Sequence, residues 1–467
     1  MEDDRTPQVL LLHPRAAPPA PPYALMPMGA LDLVARLRTR RIDAEAVNLA
    51  LEHELDPSFH LDALLRGGRP DVVLIPLHWY EHAHAATEVA AWCKEAAPRV
   101  PVVMGGITAT AFAEEILDSQ RQVDFVIRGD AEGPLLDLVP RLLDGGRWGD
   151  VANLTYRRSG AVYSNPQTYV HADLNDAEPT AGLRALRHWE AYLHTDLDGL
   201  HRELLASTWV PIGRGCPHEC PWCGGSGAAH ERLFGRETCS WVTPERLCAW
   251  IEELVSLGVE QIKVSHDLSQ CGAATWNRLR ALRDGSSRNV GVYNECWQLP
   301  TPRWIKEFAE TFMPLHSRLV LTPLVGDEAV RARMGRRFSN DALVEAIRAA
   351  ISRLIPCDVF FSSNTPGETA STFEETLRLA KRISQAGSAG MIRMFNQPLT
   401  VDPSSDLSMR PAAYGLELQL RAFSDYVEYS RDRGEGRQSG FVSSDPEGLL
   451  GMEASRRWSE AVRGFSH

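Results

Sequence analysis

No run of the 467 residues approaches the ~20 consecutive apolar side chains that a helix needs to cross a bilayer, so no membrane span is expected. The opening Met-Glu-Asp-Asp-Arg-Thr lacks the basic stretch and apolar core of an export signal, and the nine cysteines are mostly scattered. Both point to a reduced, cytoplasmic setting with no structural disulfides. Positive charge is in deficit: a net charge of −12 disfavours a sequence-independent grip on a phosphate backbone, so nucleic acid is not expected as a partner. No G-x-G-x-x-G opens a helix, which disfavours a dinucleotide. No second C-x2-C pair exists, which leaves a structural zinc site short of ligands.

What the chain does carry is Gly-Cys-Pro-His-Glu-Cys-Pro-Trp-Cys-Gly-Gly-Ser, with Cys216, Cys220 and Cys223 spaced C-x3-C-x2-C. Three thiolates on one short loop can hold three irons of a [4Fe–4S] cubane and leave the fourth without a protein ligand. His218, inside the loop, is badly placed to join the same tetrahedron, which again weighs against zinc. An open iron is a place where a small molecule binds and is reduced. The expectation is a redox enzyme acting on a small-molecule substrate.

The length allows two or three domains. Over residues 1–150, short apolar runs (8–13, 43–48, 71–76, 100–104, 123–127) alternate with helical patterns such as Gly29 to Thr39. This predicts a parallel sheet covered on both faces, with ligands bound beyond the carboxyl ends of the strands. Gly105 and Gly106 follow a strand, where they serve either a ligand approached closely by backbone or a plain turn. His78-Trp-Tyr-Glu-His-Ala-His84 falls at the same edge and can line a flat, bulky cofactor. Metal ligation by His78, His82 and His84 is the alternative, although that spacing does not put all three on one helical face.

Residues 151–200 read as a linker, and 201–400 as a second domain. Six strand signals there (208–212, 261–265, 290–293, 317–322, 357–362 and 388–395) alternate with helices, one of them opened by Thr243-Pro244. Six strand–helix units make a partial (β/α) barrel with its chemistry at the carboxyl ends of the strands, where the cysteine loop also falls. Residues 401–467 read as a helical extension over the barrel's open side.

These motifs resemble a family. The cysteine loop, with Trp222 before its last cysteine, is similar to the signature of radical S-adenosylmethionine (SAM) enzymes. The first domain is similar to the cobalamin-binding domain that precedes it in one large subclass, through Pro27-Met-Gly29, Val102-Val-Met-Gly-Gly106 and Asp124-Phe-Val-Ile-Arg-Gly-Asp-Ala-Glu132. Gly326 to Ser339, Asn364-Thr-Pro-Gly-Glu-Thr369 and Pro403-Ser-Ser-Asp-Leu407 match the same subclass. The cobalt-ligating Asp-x-His-x-x-Gly of the methionine-synthase type of cobalamin domain is missing. The resemblance implies an α/β fold: a doubly wound, Rossmann-like cobalamin-binding domain, a partial (β/α)6 radical SAM barrel and a helical C-terminal extension.

It also implies a [4Fe–4S] cluster, SAM and cobalamin as cofactors, and an external electron donor such as flavodoxin or ferredoxin. By position, Pro27, Met28, His78, Trp79, Gly105, Gly106, Gly129 and Glu132 would line cobalamin, with Trp79 or His78 below the corrin. Cys216, Cys220 and Cys223 would hold the cluster beside Trp222. Ser265 and Asp267 would meet the SAM amino group, unless Asp267 caps the next helix. Thr322 and Ser363 would lie near ribose and adenine. Arg336 or its neighbour Arg337 would hold a carboxylate, unless solvated at the surface. Tyr293 and Glu295 would face substrate, unless they only pack the core. The implied activity is methylation of an unactivated carbon of a small molecule, by way of methylcobalamin and a 5′-deoxyadenosyl radical. The alternatives are radical rearrangement, cyclisation or ring contraction without methyl transfer, and a cobalamin sensor with a structural cluster.

Overall fold

Val9-Leu-Leu-Leu-His13 has no polar face, and a strand of that kind is stable only with both faces covered. In the computed structural model, which describes residues 7–15, 25–67, 70–195, 205–284, 289–388, 390–432, 440–443 and 451–463, that strand lies deep in a sheet. Residues 16–24 of the Pro-rich loop fall outside the described residues.

The chain divides into two compact units. The first takes in Met1–Leu204, Ala228–Glu237 and Leu420–Arg437. Its sheet is built of β1 (Val9–His13), β2 (Ala44–Asn48), β3 (Val72–Pro76), β4 (Val102–Gly105), β5 (Phe125–Ile127), β6 (Leu154–Arg158) and β7 (Ala161–Ser164). The spatial order is β2-β1-β3-β4-β5-β6-β7, with the first five parallel. Strand order reverses between β1 and β3, and doubly wound sheets bind ligands beyond the carboxyl ends at such a point, here past His13 and Pro76.

Two expectations need correction. The stretch 151–200 is no linker: β6 and β7 extend the sheet antiparallel, turned by Ser159-Gly160, both with positive φ. A two-residue turn of that conformation matches the twist of flanking strands. Nor is the C-terminal stretch a uniform helical cap. It contains an antiparallel pair, β16 (Leu416–Leu418) with β17 (Phe441–Ser443), and its helix Phe423–Arg431 is packed into the first unit's core. That unit is also closed by a buried ion pair: Asp130 Oδ2 accepts from Arg236 Nη2 at 2.6 Å and from the His171 amide at 2.8 Å.

The second unit is the expected partial barrel. β8 (Ser207–Val210), β11 (Gln261–Val264), β12 (Gly291–Cys296), β13 (Arg318–Leu324), β14 (Cys357–Ser363) and β15 (Ile392–Pro398) pair in that order, all parallel. A short ribbon, β9 (Gly213–Arg214) with β10 (Ser240–Trp241), flanks the cysteine loop. Along each strand one set of residues is apolar (Ile262, Val292, Leu319, Val359), while the alternate set carries Lys263, Tyr293, Arg318 and Asp358. Asp358 is fully buried between Arg318 Nη1 (2.9 Å) and Arg393 Nη2 (2.6 Å), so each charge taken from water is compensated.

Arg331 meets the same demand without a carboxylate. Its fully buried guanidinium donates to the carbonyls of Pro323, Val325, Gly326 and Phe338 and to Asn340 Oδ1. Burial pulls its pKa down to about 10. This cage fixes the turn leaving β13, where Leu324 sits at φ 64 and Val325 N–H reaches back to Pro323 O at 2.8 Å. A positive φ at leucine is costly and persists only where neighbours over-determine it.

Candidate functional site

The cysteine loop is held from the β11 end. Ile212 N–H donates to Ser265 Oγ at 3.1 Å, Ser265 Oγ lies 3.0 Å from His266 Nδ1, and His266 Nε2 lies 2.9 Å from Gly215 O. With the proton on Nε2, every donor in this chain meets an acceptor: amide to hydroxyl, hydroxyl to Nδ1, Nε2 to carbonyl. A Cβ on Gly213 would fall 2.8 Å from the His266 ring, so glycine is required there. Ser265 and His266 thus anchor the backbone entering Cys216.

Asp267 caps the short helical turn Leu268–Gln270. Its Oδ1 accepts from Ser269 N and Asn294 Nδ2, and its Oδ2 from Trp297 N at 2.8 Å. Burial raises its pKa, and those hydrogen bonds oppose the rise. Oδ1 thus takes two donors and Oδ2 one, and the side chain is fully buried.

The loop itself is tight. Gly225 N–H donates to Cys223 Sγ at 3.3 Å, Gly227 N–H to His218 O, and Gly224 N–H to Asp402 Oδ2. Gly335, at φ 85, brings its backbone against Cys220. Trp222 packs on an apolar cluster of Leu324, Val401 and Leu407. All three cysteines are free thiols, and burial pushes their pKa values up, that of Cys223 to about 12. Arg336 opposes this at Cys216 and Cys220. Its side chain is buried, its Nε has no hydrogen-bond partner, and no carboxylate pairs with it among the described residues. A buried cation near two of the three thiols is a poor apo-state but a good fit to an anionic iron–sulfur cluster and its ligand. Among the described residues no three His, Cys, Asp or Glu side chains converge on one ion, the three histidines of the 78–84 stretch included. A cubane makes no such demand, because each thiolate binds its own iron.

Further along the barrel, Thr322 is half-buried just before the strained Leu324, and Ser363 is fully buried with an unpartnered Oγ. Tyr293 is buried, edge-on to Trp209 at 5.9 Å with Lys263 Nζ 5.7 Å from its ring, so it packs the barrel interior. Glu295, two residues on along the same strand face, is exposed. Sequence reasoning missed Glu368. It is 3 % exposed; Oε1 accepts from Thr376, whose hydroxyl in turn accepts the Gly326 amide, and Oε2 has no partner. Burial pushes its pKa up to about 8.

In the first unit, Gly106 has φ 113, and a Cβ there would lie 2.6 Å from Leu77 O. Thr108 donates through both N–H and Oγ1 to His78 O, fixing the loop after β3. Trp79 and His78 on that loop are half-exposed, with ring centroids 4.8 Å apart. Beneath them lie His82, 6.0 Å from Trp79, and then His13, 5.1 Å from His82. His13 is fully buried with both ring nitrogens unpartnered, and burial, then His82 and His78, hold its pKa well below the usual histidine range. Gly129, at φ 67, donates its N–H to Thr110 Oγ1; Glu132 starts the helix Glu132–Leu143, and Pro27-Met28 start the helix Met28–Thr39. The structure thus gathers His78, Trp79, Gly105 and Gly106 on one edge of the sheet and adds His13 and Thr108, which no local pattern had signalled.

A B12 binding domain model matches residues 22–139, and a Radical SAM superfamily model matches residues 210–380. The anaerobic magnesium-protoporphyrin IX monomethyl ester cyclase of Synechocystis sp. is 24% identical over 218 residues, covering 46% of this chain and 41% of the relative. The hopanoid C-3 methylase of Methylococcus capsulatus is 26% identical over 201 residues, covering 43% of this chain and 36% of the relative. The chain therefore spans less than half the length of either. Among solved structures, the radical SAM methyltransferase TsrM from Kitasatospora setae, with cobalamin and a [4Fe-4S] cluster bound, has a TM-score of 0.67 at 14% identity, covering 98% of this chain and 88% of that one. The cobalamin-dependent SAM radical enzyme OxsB gives 0.58 at 12% identity, covering 98% and 61%. With a B12 binding domain ahead of a radical SAM domain on the matching fold, the chain belongs to the cobalamin-dependent radical SAM enzymes.

Proposed function

We propose that the protein methylates an unactivated carbon of a small molecule. When bound, the cluster supplies the electron that breaks a C–S bond of SAM, and cobalamin supplies the methyl group. The protein's own part is to hold, orient and exclude water. Cys216, Cys220 and Cys223 would ligate the cluster on a loop fixed by Ser265 and His266, with Arg336 balancing the added negative charge. Thr322 and Ser363 offer hydroxyls for ribose and adenine, and Glu295 is the exposed polar group on the barrel face toward substrate. Pro27, Met28, Gly105, Gly106, Gly129 and Glu132 would line cobalamin. The electron donor would be external, of the flavodoxin or ferredoxin kind.

The observation that carries methylation over other radical chemistry is the Trp79 loop. At the carboxyl edge of β1 and β3 the chain offers a half-exposed indole, while the imidazole ending β1, His13, is 0 % exposed. His78 on the same loop is exposed to a similar degree, so the reading requires that Trp79 and not the His78 imidazole meets the metal; a cobalt without a strong protein donor would favour methyl loss. Electron paramagnetic resonance (EPR) of the Co(II) form is expected to show no nitrogen coupling from a protein imidazole. Such coupling would sink the Trp79 assignment.

Similarity to the ester cyclase supports a second reading, ring formation without methyl transfer. Product analysis separates the two in reduced, cobalamin-loaded protein given SAM and candidate substrates. S-adenosylhomocysteine formed together with 5′-deoxyadenosine supports methylation. Deoxyadenosine alone supports cyclisation or rearrangement, and neither product would support a sensor.

A further inference from the structure

We infer that the C-terminal helix Phe423–Arg431 is a working part of the cobalamin site, with Ser430 and Tyr426 as positioning residues for the Trp79 loop. The inference rests on the reading that His78 and Trp79 meet cobalamin.

The stretch from His78 to His84 is pinned at three points. Its first carbonyl, His78 O, is held by Thr108. Its last amide, His84 N–H, donates to Ser430 Oγ at 2.9 Å across 346 residues of sequence. Ser430 can accept because its own proton goes to Val427 O at 3.1 Å. Between them, Tyr80 is buried against Tyr426 (5.3 Å between centroids) and Tyr429 (6.2 Å). The helix is held in turn: Phe423 N–H donates to Glu115 Oε2 at 2.7 Å, and Phe112 packs on Phe423 and Tyr426.

A helix that only sealed a core could do so with any apolar side chains. This one also places a hydroxyl on the amide at the far end of the loop. Trp79 follows shortly after the end of β3, so its indole can hold one position only if the loop ends are fixed. One end is fixed within the domain, and the other is fixed by a segment that arrives 346 residues later. Aromatic contacts between Tyr80 and the helix set the depth of the loop.

The test uses the full chain with its cluster reconstituted, titrated with hydroxocobalamin, and records the Co(II) EPR spectrum after reduction. The variants are Ser430→Ala, Tyr426→Ala, Trp79→Ala and Leu117→Ala. The last is a buried truncation in the helix Ala113–Ser119 that tests for general loss of stability. Ser430→Ala is expected to weaken hydroxocobalamin binding about tenfold, the equivalent of leaving one buried N–H without an acceptor. Ser430→Ala and Tyr426→Ala should change the Co(II) spectrum as Trp79→Ala does, while Leu117→Ala leaves it alone. If Trp79→Ala changes spectrum and affinity but both helix variants behave like Leu117→Ala, the inference is overturned and the placement of the loop survives. If Trp79→Ala also behaves like Leu117→Ala, the loop is not at the corrin and both readings fall.

Discussion

Replacing Glu368 with glutamine should stabilise the protein, and more so as pH rises. In the folded chain this carboxyl is buried with one oxygen unpartnered, and its pKa stands at about 8 against 4.5 for the free side chain. A carboxyl whose folded pKa is raised binds more protons folded than unfolded, so the stability it contributes is complete below the unfolded pKa. That contribution is lost as pH climbs toward the folded value. At about 1.4 kcal/mol per unit, the loss between about pH 5.5 and about pH 8.5 is about 3 kcal/mol. The introduced amide would keep an acceptor for Thr376 and would not titrate. The assay is the melting temperature of wild type and Glu368→Gln, cluster-loaded, at both pH values. The variant's advantage should grow by roughly 6–12 °C between them, given about 2–4 °C per kcal/mol for a domain of this size. Parallel pH profiles would refute the reasoning, because they would mean that Glu368 is ionised or solvated in the folded protein.

Cys220→Ala should abolish SAM cleavage while hydroxocobalamin still binds, since the cysteine loop and the 78–106 region belong to different units; retained 5′-deoxyadenosine would overturn the cluster assignment. Gly106→Ala should weaken hydroxocobalamin binding at least about tenfold and lower the melting temperature, because φ 113 and a 2.6 Å approach to Leu77 O leave no room for a methyl group. His266→Phe should lower iron content after reconstitution, whereas His266→Gln, which can still donate to Gly215 O, should restore most of it. Equal iron in both variants would remove His266 from the positioning of Cys216.

The strands and their order of use were legible because continuous apolar runs and turn residues are local signals. Thr243 caps its helix as the sequence suggests, its hydroxyl accepting from Arg246 N–H. The three cysteines were legible for the same reason. The hairpin at Ser159-Gly160 carried a local signal too, but its strands are short and polar at the exposed end, so the stretch read as linker. The surroundings of Asp267 were not legible in sequence: its cap on Ser269 is local, but its bonds to Asn294 and Trp297 come from 27 and 30 residues away. His13, Glu368 and Ser430 were invisible, since what marks each is burial or a partner far away in sequence.

The salt bridge between Asp130 and Arg236 bears on how such a protein can be cut or recombined. The first unit owns its cation only through a segment that follows the cysteine loop, and the strands β16 and β17 bracket another segment that belongs to it. A fragment ending at Leu204 would leave Asp130 buried without its counter-charge and Tyr80 and Phe112 without their covering helix. Exchange of the cobalamin domain between relatives therefore has to carry three pieces of chain together, and a graft made at a single boundary should come out insoluble.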